Sequence, residues 1–320
     1  MQAAFLDFAT LGSGIDDAAL RAAAGEYQCY AMTSPDDLLE RCQDLDAVFT
    51  NKCRFDATTL AALPKLKYIG LTATGSDGID LVAAAEHGVA VTNITAYCTQ
   101  SVAQHVFATL LSLTHQLSAY DRDIRAGAWQ RQDNFCLLDH PIRELSGLAL
   151  GVVGYGELGQ AVARIGEAFG MRVLVAARAG QPPTGGRLPL IELLSQADVV
   201  SLHCPLTPQT ANMINADTLV VMKPSSVLIN TARGGLVEAA ALANALRTGQ
   251  IGGAAIDVLD KEPPDPANPL LASDIPNLIV TPHIAWAAVE ARQRAIDQTA
   301  AHFRAFLNGE RSNRLDQDTV

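Results

Sequence analysis

The sequence predicts an α/β protein built from two parallel-sheet domains, on three observations. Short apolar runs alternate with helical stretches along nearly the whole chain. Near the middle that alternation passes through a glycine-bearing stretch, LALGVVGYGELGQAVARIGEAFGMRVLVAAR at 148–178, and then resumes. A chain of 320 residues is long enough for two cores of ordinary domain size.

Taken in order, strands are expected at Ala3–Phe8, Tyr27–Met32, Ala47–Thr50, Leu66–Leu71 and Val89–Ile94. Between them, helices are expected at Asp16–Ala24, Pro35–Cys42, Asp56–Leu63 and Asp80–His87. Each opens at or near an Asp, which can accept a first-turn N–H bond, or a Pro, which has no N–H to leave unpaired. This first half reads as a parallel sheet close to a flavodoxin-like order. Thr99 to Tyr120 follows as one connector helix, with Val102, Val106, Leu110, Leu113 and Leu117 on a buried face.

The strand at Leu148–Val153 runs directly into Gly154, Gly156 and Gly159. The helix beyond is apolar at Leu158, Ala161, Val162, Ile165 and Phe169 and stops at Gly170. A GxGxxG spacing is weak evidence in a chain with 24 glycines, but a strand before it and an amphipathic helix after it make a dinucleotide-binding turn. The second half thus reads as a Rossmann unit, with further strands at Val173–Ala176, Val199–His203, Val227–Asn230, Gly253–Asp257 and Leu278–Thr281. A last helix, Ala287–Asn308, has no open place in that sheet and is expected to return to the first domain. The expected division is a discontinuous substrate domain, 1–99 plus 286–320, around a dinucleotide domain, 100–285, with an active-site cleft between them.

Composition narrows the function classes. The chain is 49% hydrophobic and 18% charged, no apolar run reaches the roughly 18 residues of a membrane span, and no basic-then-apolar leader opens it. A net charge of −11 argues against nucleic acid or an anionic membrane as partner, while a local arginine can still hold a small anion. Cysteines 29, 42, 53, 98, 136 and 204 form no CxxC and no paired framework, so reduced thiols in the cytoplasm are expected. No HExxH, carboxylate cluster or serine elbow is present, so no metal is expected.

Three segments put chemistry at the ends of predicted strands, where open parallel sheets carry their sites. Arg233, in INTARGG at 229–235, offers a fork suited to a carboxylate. In DVLDKEPP at 257–264, Asp257 ends a strand, positioned to accept bonds from a cofactor amide, and Glu262 precedes two stiffening prolines. In TPHIAW at 281–286, His283 directly follows a strand and can carry one proton near neutral pH. A carboxylate touching it would stabilise the imidazolium, a role that Glu262 could fill. The histidines at 87, 105, 115, 140, 203 and 302 are read as packing or surface residues, 203 least firmly.

Together these residues resemble the D-isomer-specific 2-hydroxyacid dehydrogenase family over essentially the whole chain. The matching pieces are GYGELG, LHCPLT at 202–207, NTARGGLV at 230–237, AIDVLDKEPP at 255–264 and TPH at 281–283. The resemblance implies catalytic roles for Arg233, Glu262 and His283. It implies cofactor binding by Val102, Gly154, Tyr155, Gly156, Glu157, Leu158, Gly159, Arg178, His203, Cys204, Pro205, Thr231, Ala232 and Asp257, the last on the nicotinamide amide. It implies substrate binding by Lys52, Thr74, Gly75, Ser76, Arg233 and His283. Gln104, in SVAQ at 101–104, stands where the family usually has an acid. TNK at 50–52, TATG at 72–75, FCLLDHPIREL at 135–145 and PHIAW look most like glycerate dehydrogenases, also called hydroxypyruvate reductases. The implied activity is hydride transfer between NAD(P)H and a small 2-oxo acid, hydroxypyruvate or glyoxylate, in a homodimer joined near Trp129–Ile142. Its rivals are a corepressor-like module that binds the cofactor without turnover, and a formate or phosphite dehydrogenase. One departure bears on the cofactor. The second strand of the dinucleotide unit ends Val175-Ala176-Ala177-Arg178, with no acid for the ribose hydroxyls. Without that carboxylate a 2′-phosphate is not repelled and Arg178 can bind it, so NADP(H) is expected to be accepted and preferred over NAD(H).

Overall fold

In the first half of the chain, apolar runs pair into a sheet whose two faces are sorted by alternation. The computed structural model describes residues 1–25 and 27–316; the 317–320 end of the expected substrate domain lies outside the described residues. The chain divides into two units, 1–98 with 287–320, and 99–286. The first contains β1 (Ala3–Phe5), α1 (Ala18–Ala24), β2 (Tyr27–Cys29), α2 (Pro35–Cys42), β3 (Ala47–Thr50), α3 (Ala57–Ala61), β4 (Tyr68–Leu71), α4 (Leu81–Glu86) and β5 (Ala90–Thr92). All neighbours are parallel in the order β2-β1-β3-β4-β5, the flavodoxin-like order. Ser34, Asp56 and Asp80 cap α2, α3 and α4 by accepting the N–H of Asp37, Thr59 and Ala83.

Several strands are shorter than their apolar runs. Leu6 and Ile94 lie past the last residues of β1 and β5 and are fully buried, with Leu6 N–H still bonding Phe49 O and Ile94 N–H bonding Ala73 O, so the apolar runs track burial past the strand ends. One sheet face, with Ala4, Val48, Ile69 and Val91, packs against Leu38, Leu60 and Ala83 of the helices. The other presents Phe5, Phe49 and Tyr68.

The second unit starts with α5 (Thr99–Thr114) and α6 (Leu117–Arg125). The single helix expected over Thr99–Tyr120 is therefore two. Gln116 adopts φ +53° and its side-chain amide donates to the Leu113 carbonyl at 2.9 Å, ending the first helix. Leu117, counted on the buried stripe, opens α6 and is exposed. The sheet follows with β6 (Ala149–Val153), α7 (Glu157–Ala168), β7 (Arg172–Val175), α8 (Leu190–Gln196), β8 (Val199–Leu202), α9 (Ala216–Leu219), β9 (Val227–Asn230), α10 (Ala239–Arg247), β10 (Gly253–Ile256) and β11 (Leu278–Val280). Its six parallel strands run β11-β10-β9-β8-β6-β7. Beyond β7, Ala176 bridges Leu188 in parallel, so the strand that would extend a doubly wound order past β7 is reduced to one residue.

The chain then returns to the first unit in α11 (Val289–Leu307). Phe303 meets Phe49 edge-on at 5.0 Å and Tyr68 at 5.0 Å, and Phe306 meets Tyr68 at 4.8 Å. That aromatic face of the first sheet is what the last helix covers. Leu315 N–H then donates to Val91 O at the outer edge of β5.

Candidate active site

The C-terminal ends of β6, β8, β9, β10 and β11 carry the chemistry, and local backbone demands explain why. Gly154 follows β6 at φ +94°, and a Cβ there would lie 2.5 Å from both Cys204 N and the His203 carbonyl carbon. A Cβ on Gly159 would lie 2.0 Å from Gly154 O. These two glycines let the turn, the start of α7 and the 203–204 segment close on one another, while Gly156 has nothing within 4 Å on its Cβ side. Gly156 caps α7 without a side-chain bond. The first-turn amides and the open side of Gly156 suit a pyrophosphate. The Glu157 carboxylate accepts a bond from Thr99 of α5, Tyr155 O accepts one from Gln160 Nε2 at 3.2 Å, and Leu158 is half-buried.

Leu202 pairs with Asn230, so His203 and Thr231 leave neighbouring strands at the same level. Ser201 Oγ lies 2.8 Å from His203 Nε2, while His203 Nδ1 and Thr231 Oγ1 are buried polar atoms without a protein hydrogen-bond partner. Burial drives the His203 imidazole down to about 4. Orphaned polar atoms beside a glycine cradle fit a dinucleotide, whose hydroxyl, phosphate and amide groups can bond them. Cys204 is half-buried and Pro205 exposed beside the same turn.

Asn230, which the sequence reading passed over, organises the next turn. It is fully buried; its Oδ1 accepts Ala232 N–H at 3.0 Å and its Nδ2 donates to Arg233 O at 2.9 Å. Arg233 Nη1 donates to Ala232 O at 2.8 Å. A Cβ on Gly234 would lie 2.0 Å from the Leu259 carbonyl carbon, so glycine is required for the arginine turn to press against the loop that carries Glu262.

Glu262 and His283, 21 residues apart, meet. Glu262 Oε2 lies 2.6 Å from His283 Nδ1, and Oε1 accepts Leu259 N–H at 2.9 Å. His283 sits at φ +55°, an uncommon conformation for a histidine. Its N–H donates to Asp257 O at 2.8 Å, and its carbonyl accepts Trp286 Nε1–H at 2.8 Å.

Asp257 anchors the turn that carries His283. It is 2% exposed, and its carboxylate accepts the Thr281 hydroxyl and Ile284 N–H on Oδ1 and Ala285 N–H on Oδ2. Three donors of its own chain thus hold the carboxylate, which binds both sides of the His283 turn together. Val102 is likewise buried on α5, and Arg178 is exposed just beyond β7. Gln104 lies with Gln100, Phe107, Leu111, Arg164 and Ile165 along an apolar groove between α5 and α7.

Lys52, Thr74, Gly75 and Ser76 belong to the first unit. There, Lys52 N–H donates to Asp7, Thr74 O accepts Asn93 Nδ2–H at 2.7 Å and Ser76 O accepts Ile79 N–H at 2.9 Å. Among the described residues no group of three or more His, Cys, Asp or Glu is arranged to hold a metal.

Residues 107–285 match the family described as D-isomer specific 2-hydroxyacid dehydrogenase, NAD binding domain. The chain belongs to this family. The dehydrogenase is 44% identical over 289 residues to a glycerate dehydrogenase of Methylorubrum extorquens, covering 90% of this chain and 91% of that one. It is 36% identical over 287 residues to a hydroxypyruvate reductase of Blautia hydrogenotrophica, covering 88% of each. Among solved structures it resembles an acyclic imino acid reductase in complex with NADPH and D-Arg, with a TM-score of 0.86 and 25% identity over 98% of this chain and 100% of that one. The dehydrogenase is an oxidoreductase that transfers hydride between a nicotinamide cofactor and 2-oxo or 2-hydroxy acids.

Proposed function

We propose that the dehydrogenase reduces hydroxypyruvate, with glyoxylate as the alternative small 2-oxo acid, to the D-2-hydroxy acid with NADPH preferred over NADH. The 2.6 Å contact between Glu262 and His283, beside the turn that presents Arg233, carries this reading. When bound, the reduced nicotinamide supplies hydride to C2 of the oxo acid. Glu262 accepts a hydrogen bond from Nδ1–H of His283, which leaves Nε2 as the atom that gives a proton to the carbonyl oxygen. Asp257 and Trp286 hold the turn in which His283 sits, so the ring is oriented before substrate arrives. Arg233 binds the substrate carboxylate and polarises the neighbouring carbonyl. Lys52 and the Thr74–Gly75–Ser76 loop of the first unit belong to substrate binding in this reading, with a cation and backbone amides that suit a carboxylate. On this assignment residues 99–286 form the dinucleotide domain and 1–98 with 287–316 the substrate domain.

The NADPH preference rests on Arg178 and on Ala177, which leaves the end of β7 without an acid. The exposed apolar loop with Trp129, Phe135 at 88% and Leu138 at 74% supports a homodimer built through this segment. Among the described residues no helix is long and apolar enough to cross a membrane, and a cytoplasmic location is part of the proposal.

The test is a spectrophotometric panel of hydroxypyruvate, glyoxylate, pyruvate, formate and phosphite with both cofactors, on the parent and on His283→Asn. The expected result is highest kcat/KM on hydroxypyruvate with NADPH, and a turnover loss of roughly 10²–10⁴ in the variant with cofactor affinity retained. Cofactor binding without turnover, or turnover on formate or phosphite alone, would overturn the reading.

A further inference from the structure

The sheet of the first unit ends in a buried carboxylate that the chemistry above does not use. Asp7, two residues beyond β1, is 1% exposed. Its Oδ2 accepts Lys52 N–H at 2.6 Å and the Thr50 hydroxyl at 3.0 Å; its Oδ1 accepts Asn51 N–H at 2.9 Å. Thr50 Oγ1 in turn accepts Cys53 N–H at 2.9 Å, so one charge organises every residue from 50 to 53. Thr10 closes the other side: its hydroxyl donates to Asp7 O at 2.7 Å and accepts Asn51 Nδ2–H at 3.1 Å.

We infer that Asp7 is a positioning residue for substrate binding, setting the 50–53 segment so that Lys52 is held where the oxo acid's carboxylate docks. The inference rests on the proposed role of Lys52. The pairing of β1 with β3 does not need this carboxylate: the ladder already registers Phe5 with Phe49, and Leu6 N–H bonds Phe49 O at 2.9 Å. Beyond the Thr50 hydroxyl at the end of β3, the bonds to Asp7 come from Asn51 and Lys52 N–H, on backbone that no strand or helix orders and from which an exposed lysine projects. Burying a carboxylate is costly unless its acceptor sites are filled, and here backbone N–H groups and a hydroxyl fill them. An asparagine could not substitute, because its NH₂ would face either Asn51 N–H or the Lys52 N–H and Thr50 O–H donors.

The experiment compares Asp7→Asn, Thr50→Val, Lys52→Met and the double variant Asp7→Asn/Lys52→Met in the full-length enzyme. It reads kcat and KM for hydroxypyruvate at saturating NADPH, Kd for NADPH by fluorescence, and thermal stability. Asp7→Asn is expected to raise KM about tenfold, the order of a lost charge-assisted bond, with kcat and cofactor Kd nearly unchanged. In the Lys52→Met background it is expected to add less than about twofold, because the two residues act as one unit. A full further tenfold in that background would show a general structural role and overturn the inference. So would an unchanged KM in Asp7→Asn while Lys52→Met raises it. If Lys52→Met itself leaves KM unchanged, the reading of Lys52 fails first. Should Asp7→Asn not fold, Thr50→Val decides the same comparison, with an expected rise of about threefold and an unchanged KM as the overturning result.

Discussion

Replacing Glu262 with Gln isolates what the carboxylate does for His283, because the shape is kept and one oxygen is exchanged for NH₂. In the parent, Oε1 receives Leu259 N–H at 2.9 Å and Oε2 faces His283 Nδ1 at 2.6 Å. Glutamine has one acceptor oxygen for these two donors, so its NH₂ must point at either an amide N–H or the imidazole. A hydrogen bond to a charged group is worth about 1.5–3 kcal/mol, and about a third of each side chain is exposed, 32% for His283 and 36% for Glu262, so the upper end is discounted for screening. A loss of about 1.5–2.5 kcal/mol in the transition state corresponds to a fall in kcat of about 10- to 70-fold. The assay is steady-state reduction of hydroxypyruvate at saturating NADPH, with cofactor Kd measured separately and expected to stay within about twofold because Glu262 lies outside the glycine turn. Parental kcat in Glu262→Gln would refute the argument that this contact orients the proton donor and stabilises the transition state.

Further outcomes follow from the same geometry. Gly159→Ala would place a Cβ 2.0 Å from Gly154 O, forcing α7 away from the turn; melting should show a loss of about 1–3 kcal/mol and fluorescence titration a weaker NADPH Kd. Ala177→Asp puts a carboxylate at the end of β7 and should shift the NADPH/NADH ratio of kcat/KM toward NADH by at least about tenfold; an unchanged ratio would remove this position from cofactor choice. His203, held at about 4 by burial, takes up a proton near 6.5 once unfolded, so the unfolded state binds more protons between those values. The stability from its neutral ring is complete above about 6.5 and is lost as pH falls toward 4, by about 3 kcal/mol. His302, also lowered by burial, adds to the same trend. Melting curves of His203→Gln should be flatter than the parent's across that window, and equal slopes would contradict it.

Much of the molecule could be read from the chain because its signals are local. Apolar runs such as Ala47–Thr50 and Val227–Asn230 coincide with strands, and Gly154 and Gly159 mark the cofactor turn because a Cβ has no room at either. Arg233, Glu262 and His283 were visible as reactive groups just past strand ends. Their partnership was less visible. Whether Glu262 touches His283 depends on how Gly234 lets one loop press on another, and sequence spacing carries no such information. The long helix broke at Gln116 because a polar residue can adopt a left-handed conformation, while periodicity continued through Leu117 into solvent. Expected strand ends run past the observed ones because Leu6 and Ile94 are apolar and buried beyond the last residues of β1 and β5.

The sequence by itself determined the two-sheet α/β plan, the dinucleotide turn and the identity of the reactive groups, since periodicity, glycine sterics and side-chain chemistry are properties of short segments. Only the tertiary structure decided that Asp257 bonds its own chain around His283, that Asn230 ties the arginine turn and that Asp7 orders the Lys52 segment. A buried carboxylate or amide takes whatever donors the fold brings within about 3 Å, and those donors lie tens of residues away along the chain.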